Sequence, residues 1–83
     1  MKNNNKYEYW NVIQQHYGQG WEDVSHYEAD SQGNSIEKVR RLNKYGKMQN
    51  FSLCGDDAKE YRLTGYPTRV IFRKELKAEL QTV

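Results

Sequence analysis

One cysteine and two histidines are the residues of this sequence best suited to nucleophilic or metal chemistry. They are Cys54, His16 and His26. A catalytic thiolate needs a base within hydrogen-bonding reach and a lowered pKa, and no local signature here brings those features together. A closed zinc site usually takes four ligands, often as closely spaced pairs, and these three residues fall short of that. We therefore predict that Cys54 packs in the core, and we expect no metal ion and no cofactor.

Two pairs of adjacent carboxylates could in principle support acid–base or nuclease chemistry. They are Glu22 with Asp23, and Asp56 with Asp57. Adjacent residues of a strand point to opposite faces, so Glu22 and Asp23 would not share a proton or a metal ion. Asp56 and Asp57 precede a helical pattern, where acidic side chains are favoured by the helix dipole. We expect no catalytic residue and no enzyme.

The tripeptide GQG at residues 18–20 has the glycine spacing of a phosphate-binding loop. A dinucleotide-binding fingerprint needs a third glycine and a following helix, but position 23 is Asp and the next segment has a strand pattern. Glycine reaches positive φ at no steric cost, which suits a short turn between strands. The pattern therefore predicts a β-hairpin.

Basic residues form two groups along the chain, residues 38–47 and 69–77. If the groups met on one surface beside exposed aromatic rings, the cations could bind phosphates while the rings stack on bases. Against this, 11 acidic residues offset 13 basic ones, and a pI of 8.7 is modest for a nucleic-acid-binding domain. Nucleic-acid binding is our second hypothesis. Its residues would be Arg40, Arg41, Lys44, Arg69 and Arg73.

The aromatic residues support the first hypothesis, which is binding of a partner protein. The 83 residues include 7 Tyr, 2 Trp and 2 Phe, more than the core of so small a domain is expected to hide. Exposed Tyr and Trp are typical of interface hot spots. A homodimer is another use of such a surface. The proposed binding residues are Tyr9, Tyr17, Trp21, Glu22 and Asp23.

Hydrophobic periodicity predicts the elements that position these residues. Strands are expected at residues 7–17, 21–29 and 68–74. A helix is expected at residues 35–45 from the spacing of Ile36, Val39 and Leu42, with a long hairpin strand as the alternative. A second helix is expected to start at Asp56 and to end before Gly65 and Pro67. Phe51, Cys54, Ala58 and Tyr61 have the spacing of one helix face. The fold class is therefore α+β, a small antiparallel sheet packed against one or two short helices.

Composition and charge set the remaining expectations. Residues 1–6 are expected to form a disordered tail, residues 7–76 a single domain, and residues 77–83 a tail or a short helical turn. The first 30 residues carry a net charge of −3 and the remainder +5. Mean hydropathy is −1.13, and no apolar run is long enough for a membrane span or a signal peptide. We expect a cytoplasmic protein.

Two stretches of the sequence resemble a known group of proteins. YWNVIQQHYGQGWEDV (residues 9–24) and DDAKEYRLTGYPTRVIFRK (residues 56–74) are similar to blocks in small proteins encoded by bacteriophages, prophages and other mobile elements. Those proteins carry a V-I-Q-x-x-Y-G-Q-G-W-E-D block and a Y-P-x-R-x-I block. The resemblance implies a bacterial cytoplasmic protein that binds a host macromolecule, for example a defence nuclease such as a CRISPR effector. It implies no site residues.

Overall fold

The structure, a computed structural model, describes residues 6–76 and has the predicted α+β fold. In chain order the elements are β1 (Tyr7–His16), β2 (Trp21–Ala29), β3 (Lys38–Leu42), β4 (Met48–Ser52), α1 (Leu53–Arg62) and β5 (Thr68–Leu76). One antiparallel sheet has the strand order β2-β1-β5, and β3 pairs with β4 in a separate hairpin. The three strands predicted for the main sheet are confirmed, with β5 two residues longer than predicted and β1 one residue shorter. Of the predicted tails, 1–6 and 77–83, all residues except Lys6 lie outside the described residues.

The strand β1 lies at the centre of the main sheet and carries most of its buried residues. All five residues from Asn11 to Gln15 are buried, because β1 has a neighbour on each side and the helix on one face. Ile13 packs with Cys54 and Ala58 of α1, and Val24, Tyr27 and Tyr61 border this cluster. The core role predicted for Cys54 is confirmed. Trp10 and Val12 line a shallow depression on the face opposite the helix, which we call the open face.

A β-bulge in β2 decides which side chains reach the open face. Ile13 pairs with Ser25, but Gln14 pairs with Asp23, so Val24 is an extra residue without a partner. Regular alternation would have placed Asp23 on the same face as Ser25, towards the helix. The bulge instead places Trp21 and Asp23 on the open face with His26. The turn that joins β1 to β2 is the predicted hairpin, with Gly18 and Gly20 at φ of 104° and 115°.

The helix α1 begins three residues before the predicted start at Asp56. Ser52 caps it, because the Ser52 Oγ accepts a hydrogen bond of 3.0 Å from the Gly55 backbone N–H, so Gly55 lies within the first turn. Cys54, Ala58 and Tyr61 face the sheet as predicted, but Phe51 belongs to β4. The helix ends at Arg62, before Gly65 and Pro67, as expected.

The helix predicted at residues 35–45 is wrong, and a hairpin strand takes its place. The Glu37 carboxylate accepts a hydrogen bond from the backbone N–H of Glu28. The side chain of Asn43 accepts hydrogen bonds from the backbone N–H groups of Tyr45 and Lys47, and Gly46 has a φ of 80°. These contacts build a tight turn between β3 and β4, and a tight turn favours a hairpin over a continued helix.

Candidate protein-binding surface

One end of the main sheet carries two groups of side chains, which together we call the aromatic end: one surrounds Trp21 on the open face, and the other is the Tyr17–Tyr66 pair beside Gln15 on the helix side. It consists of His16, Tyr17, Trp21, Tyr66 and Arg69. The turn between β1 and β2 and the loop before β5 meet there, because the His16 N–H donates a hydrogen bond of 3.1 Å to the Pro67 carbonyl. This contact places the Tyr17 ring 4.7 Å from the Tyr66 ring at an angle of 80°, a favourable edge-to-face arrangement.

Trp21 is held between two neighbours on the open face. Its ring makes an edge contact with His16 at 5.3 Å, and the guanidinium carbon of Arg69 lies 4.1 Å from the ring centroid. Arg69 is itself fixed, because its Nε donates a hydrogen bond of 2.8 Å to the Gln14 side-chain carbonyl. Trp21, Tyr17 and Tyr66 nevertheless remain 37% to 50% exposed. The aromatic end is therefore both accessible and held in one arrangement.

The ion pair of Asp23 continues this network along the open face. Asp23 accepts a hydrogen bond of 2.8 Å from the Gln14 amide and two hydrogen bonds, of 2.6 and 3.3 Å, from the Arg73 guanidinium. The Arg73 bonds, and after them the Gln14 bond, lower the pKa of Asp23 to about 2. Asp23 is thus an ionised link between β2 and β5 at neutral pH, and it cannot act there as a proton carrier.

Gln15 is a structural residue of the aromatic end that sequence reasoning missed. Its side chain is buried, with 2% exposed, and its Nε2 lies within hydrogen-bonding distance of three acceptors. The acceptors are the Tyr61 carbonyl and the hydroxyl groups of Thr64 and Thr68. The Tyr17 hydroxyl donates a hydrogen bond of 2.6 Å to the Gln15 carbonyl oxygen. Gln15 therefore joins β1, the end of α1 and the start of β5, and it orients Tyr17.

The structure brings together only part of the protein-binding set predicted from the sequence. Tyr17 and Trp21 belong to the aromatic end, and Asp23 follows Trp21 on the open face. Glu22 is exposed and lies opposite Gln15, which puts it on the helix side of the sheet. Tyr9 lies near the other end of β1, about 23 Å from His16 at roughly 3.3 Å per residue. Its ring stacks on Phe72 at 5.9 Å.

The basic residues proposed for nucleic-acid binding separate into two places. Arg69 and Arg73 lie on the open face and bond to Gln14 and Asp23. Arg41 belongs to the β3–β4 hairpin, where it pairs with Asp56 at 2.7 Å and covers the Phe51 ring. Arg40 and Lys44 are exposed on the same hairpin. Three of the five cations thus already have intramolecular partners.

The remaining sequence candidates have structural roles. Cys54 is buried on the helix side, and this burial raises the pKa of its thiol. The carboxylate of Asp57 accepts hydrogen bonds from the hydroxyl groups of Tyr27 and Ser25. The bond with Asp57 raises the pKa of Tyr27, and both bonds fasten α1 to β2. Within residues 6–76, no group of three or more His, Cys, Asp and Glu side chains is placed to hold a metal ion.

Comparisons with known proteins leave the surface to be interpreted from its own geometry. No protein-family model, no curated protein and no solved structure matches this chain. In the part of the chain that the structure describes, no helix combines the length and apolar character needed to cross a membrane.

Proposed function

We propose that this protein is a non-enzymatic binding module that docks onto a partner protein through the aromatic end. The observation that carries the proposal is the set of three rings, Tyr17, Trp21 and Tyr66, each partly exposed and each held by a neighbour. Tyr, Trp and Arg are the residue types that dominate binding hot spots. Rings fixed before binding lose little conformational entropy on docking, which raises affinity.

The charges near the aromatic end favour a protein partner over a nucleic acid. Glu22 directly follows Trp21 in β2, and its carboxylate opposes an approaching phosphate backbone, whereas the charge of Asp23 is balanced by Arg73. The nearest cation, Arg69, is already engaged by Gln14 and Trp21. A protein surface with a pocket for the rings and donors for Glu22 fits this arrangement. We expect such a partner to contribute amide or basic side chains.

The resemblance to proteins of mobile elements suggests the biological setting of this proposal. In that setting the protein works in the cytoplasm of a bacterial host and binds a host or phage protein. An inhibitor of a host defence nuclease, of the anti-CRISPR kind, is its most concrete form. Binding alone accounts for such an activity, and the proposal assigns no catalytic residue.

An affinity capture from bacterial lysate tests the proposal when it is run with and without nuclease treatment. A partner protein that is retained at stoichiometric level after nuclease, and lost with Trp21→Ala, supports it. The Tyr45→Ala variant is the control, because Tyr45 is 75% exposed on the separate β3–β4 hairpin. Retention of the same partner by Trp21→Ala, with its fold intact, contradicts the proposal.

A second candidate function is nucleic-acid binding by the β3–β4 hairpin. All charged residues in positions 38–52 are basic: Lys38, Arg40, Arg41, Lys44 and Lys47. Lys44 lies 5.3 Å from the exposed ring of Tyr45, a pairing suited to a phosphate and its base. The signature would be an affinity that falls steeply with salt, with a slope reduced in Arg40→Ala and Lys44→Ala. A flat response to salt would rule this candidate out.

A further inference from the structure

The outer edge of β5 is an unused strand edge in the described part of the chain. β5 is nine residues long, Thr68–Leu76, and it is the last strand in the order β2-β1-β5. Between residues 6 and 76, β1 is its only pairing partner. A long strand edge without a partner is a template for a further strand.

The ladder to β1 shows which backbone groups of β5 point outwards. The His16 N–H bonds to the Pro67 carbonyl, so Pro67 and every second residue after it turn their backbone groups towards β1. The intervening residues turn theirs to the outer edge. They are Thr68, Val70, Phe72, Lys74 and Leu76. Within residues 6–76, no hydrogen bond outside the ladder uses these backbone groups.

Side chains along this edge are unusually apolar for an exposed strand. Val70, Phe72 and Leu76 are 40% to 53% exposed, and alternation places all three on the helix side of the sheet. Phe72 also stacks on Tyr9 of β1. An edge that is both unpaired and apolar favours association over solvent exposure.

We propose that two copies of the chain pair antiparallel through β5 and form one continuous six-stranded sheet. With a two-fold axis at Phe72, all nine residues of each strand find a partner. Thr68 then lies opposite Leu76, Val70 opposite Lys74, and Phe72 opposite its symmetry mate. The outward backbone groups of one copy meet those of the other, as antiparallel pairing requires.

The charged side chains of β5 favour this register over the registers shifted by two residues. In the proposed register Arg69 lies opposite Glu75 of the second copy, and the two-fold axis makes this pair twice. Sliding one strand by two residues would oppose Arg69 to Arg73, or Arg73 to itself. Like charges directly opposite each other destabilise a sheet, whereas opposite charges stabilise it. This self-complementarity is why a second copy, rather than an unrelated strand, is the occupant that we propose.

Sedimentation equilibrium of the full chain over a range of concentrations tests the proposal. We expect a reversible monomer–dimer equilibrium. Glu75→Arg is expected to raise the dimer dissociation constant about tenfold, because it creates two like-charge pairs. The double variant Glu75→Arg with Arg69→Glu should recover most of the affinity. The control is Glu28→Arg, which makes the same charge change on the far strand β2 and should leave dimerisation unchanged. A monomer at all concentrations, or a dimer indifferent to Glu75→Arg, overturns the proposal.

Amide hydrogen exchange provides an independent readout of the register. The amides of Val70, Phe72 and Lys74 should become protected as concentration rises. Those of Ile71 and Arg73, already bonded to β1, should be protected at every concentration. Protection of Val70, Phe72 and Lys74 that does not change with concentration contradicts the proposed pairing, even if the chain dimerises by another surface.

Discussion

Asp23 of β2 and Arg73 of β5 form an ion pair, with atoms 2.6 Å apart, across the central strand β1. The pair exists because the β-bulge at Val24 turns Asp23 to the open face, where Arg73 and Gln14 both reach it. Gln14, Asp23 and Arg73, one from each strand of the main sheet, are thus linked by hydrogen bonds. A single extra residue in β2 decides whether this carboxylate meets a cation or the helix.

The ion pair predicts a specific dependence of stability on pH. Because the folded-state pKa of Asp23 is lowered to about 2, its stabilisation is fully present above the unfolded-state pKa. It is lost as pH falls from about 4 to about 2. Since both side chains of the pair are partly exposed, we expect a loss of no more than about 1 kcal/mol in the free energy of unfolding. Urea unfolding at several pH values measures it. The Asp23→Asn variant should lack this component, and an identical pH profile for both proteins would refute the assignment.

The buried amide of Gln15 should be important for stability. Gln15→Ala removes its hydrogen bonds and leaves a cavity at a buried position, so we expect a loss of about 2–3 kcal/mol in the free energy of unfolding. Denaturant titration of the variant measures this loss. Gln19→Ala is the matched control, because Gln19 lies exposed in the hairpin turn. Equal stability of the two variants would show that the Gln15 contacts contribute little.

The Cys54 thiol should be unreactive in the folded protein. Burial between α1 and the sheet raises its pKa and blocks access, so a thiol reagent can react only after local or global opening. We expect labelling to be at least about a hundredfold slower than in urea. A kinetic assay with a chromogenic disulfide checks this. Rapid native labelling would reopen the possibility of a reactive cysteine.

Gly46 should be required for the β3–β4 turn. Its φ of 80° is unfavourable for residues with a Cβ, so Gly46→Ala should destabilise the hairpin by about 1 kcal/mol. Amide exchange in β3 and β4 reports this local effect. Lys44→Ala changes the same turn without a demand for positive φ and should leave protection unchanged. A neutral Gly46→Ala would contradict the observed turn.

The strands of the main sheet were predictable because their residue types and glycine-flanked ends both indicate β-structure. The helix prediction at residues 35–45 was wrong because Ile36, Val39 and Leu42 also have helical spacing. The competing turn depends on the Asn43 side chain and on pairing with β4, which lies later in the chain. The spacing of residues within one segment carries no information about pairing with a later strand.

The site was only partly predictable for a related reason. Exposed Tyr17 and Trp21 follow from the excess of aromatic residues, but their grouping with Tyr66 and Arg69 depends on the meeting of two distant loops. The bulge at Val24 has no clear sequence signal, and it alone puts Trp21 and Asp23 on the open face. Gln15 had no signal that set it apart, because Glu8, Asn11 and Gln14 are also polar residues of the same strand.

The most direct test of the central claim is the affinity of the captured partner for Trp21→Ala, Tyr66→Ala and Tyr45→Ala, measured by calorimetry alongside the unaltered chain. The account predicts that Trp21→Ala and Tyr66→Ala each weaken binding by roughly 10- to 30-fold or more, as hot-spot residues do. Tyr45→Ala should bind like the unaltered chain. Unchanged affinity in both aromatic-end variants, with melting temperatures preserved, would show that the partner docks elsewhere.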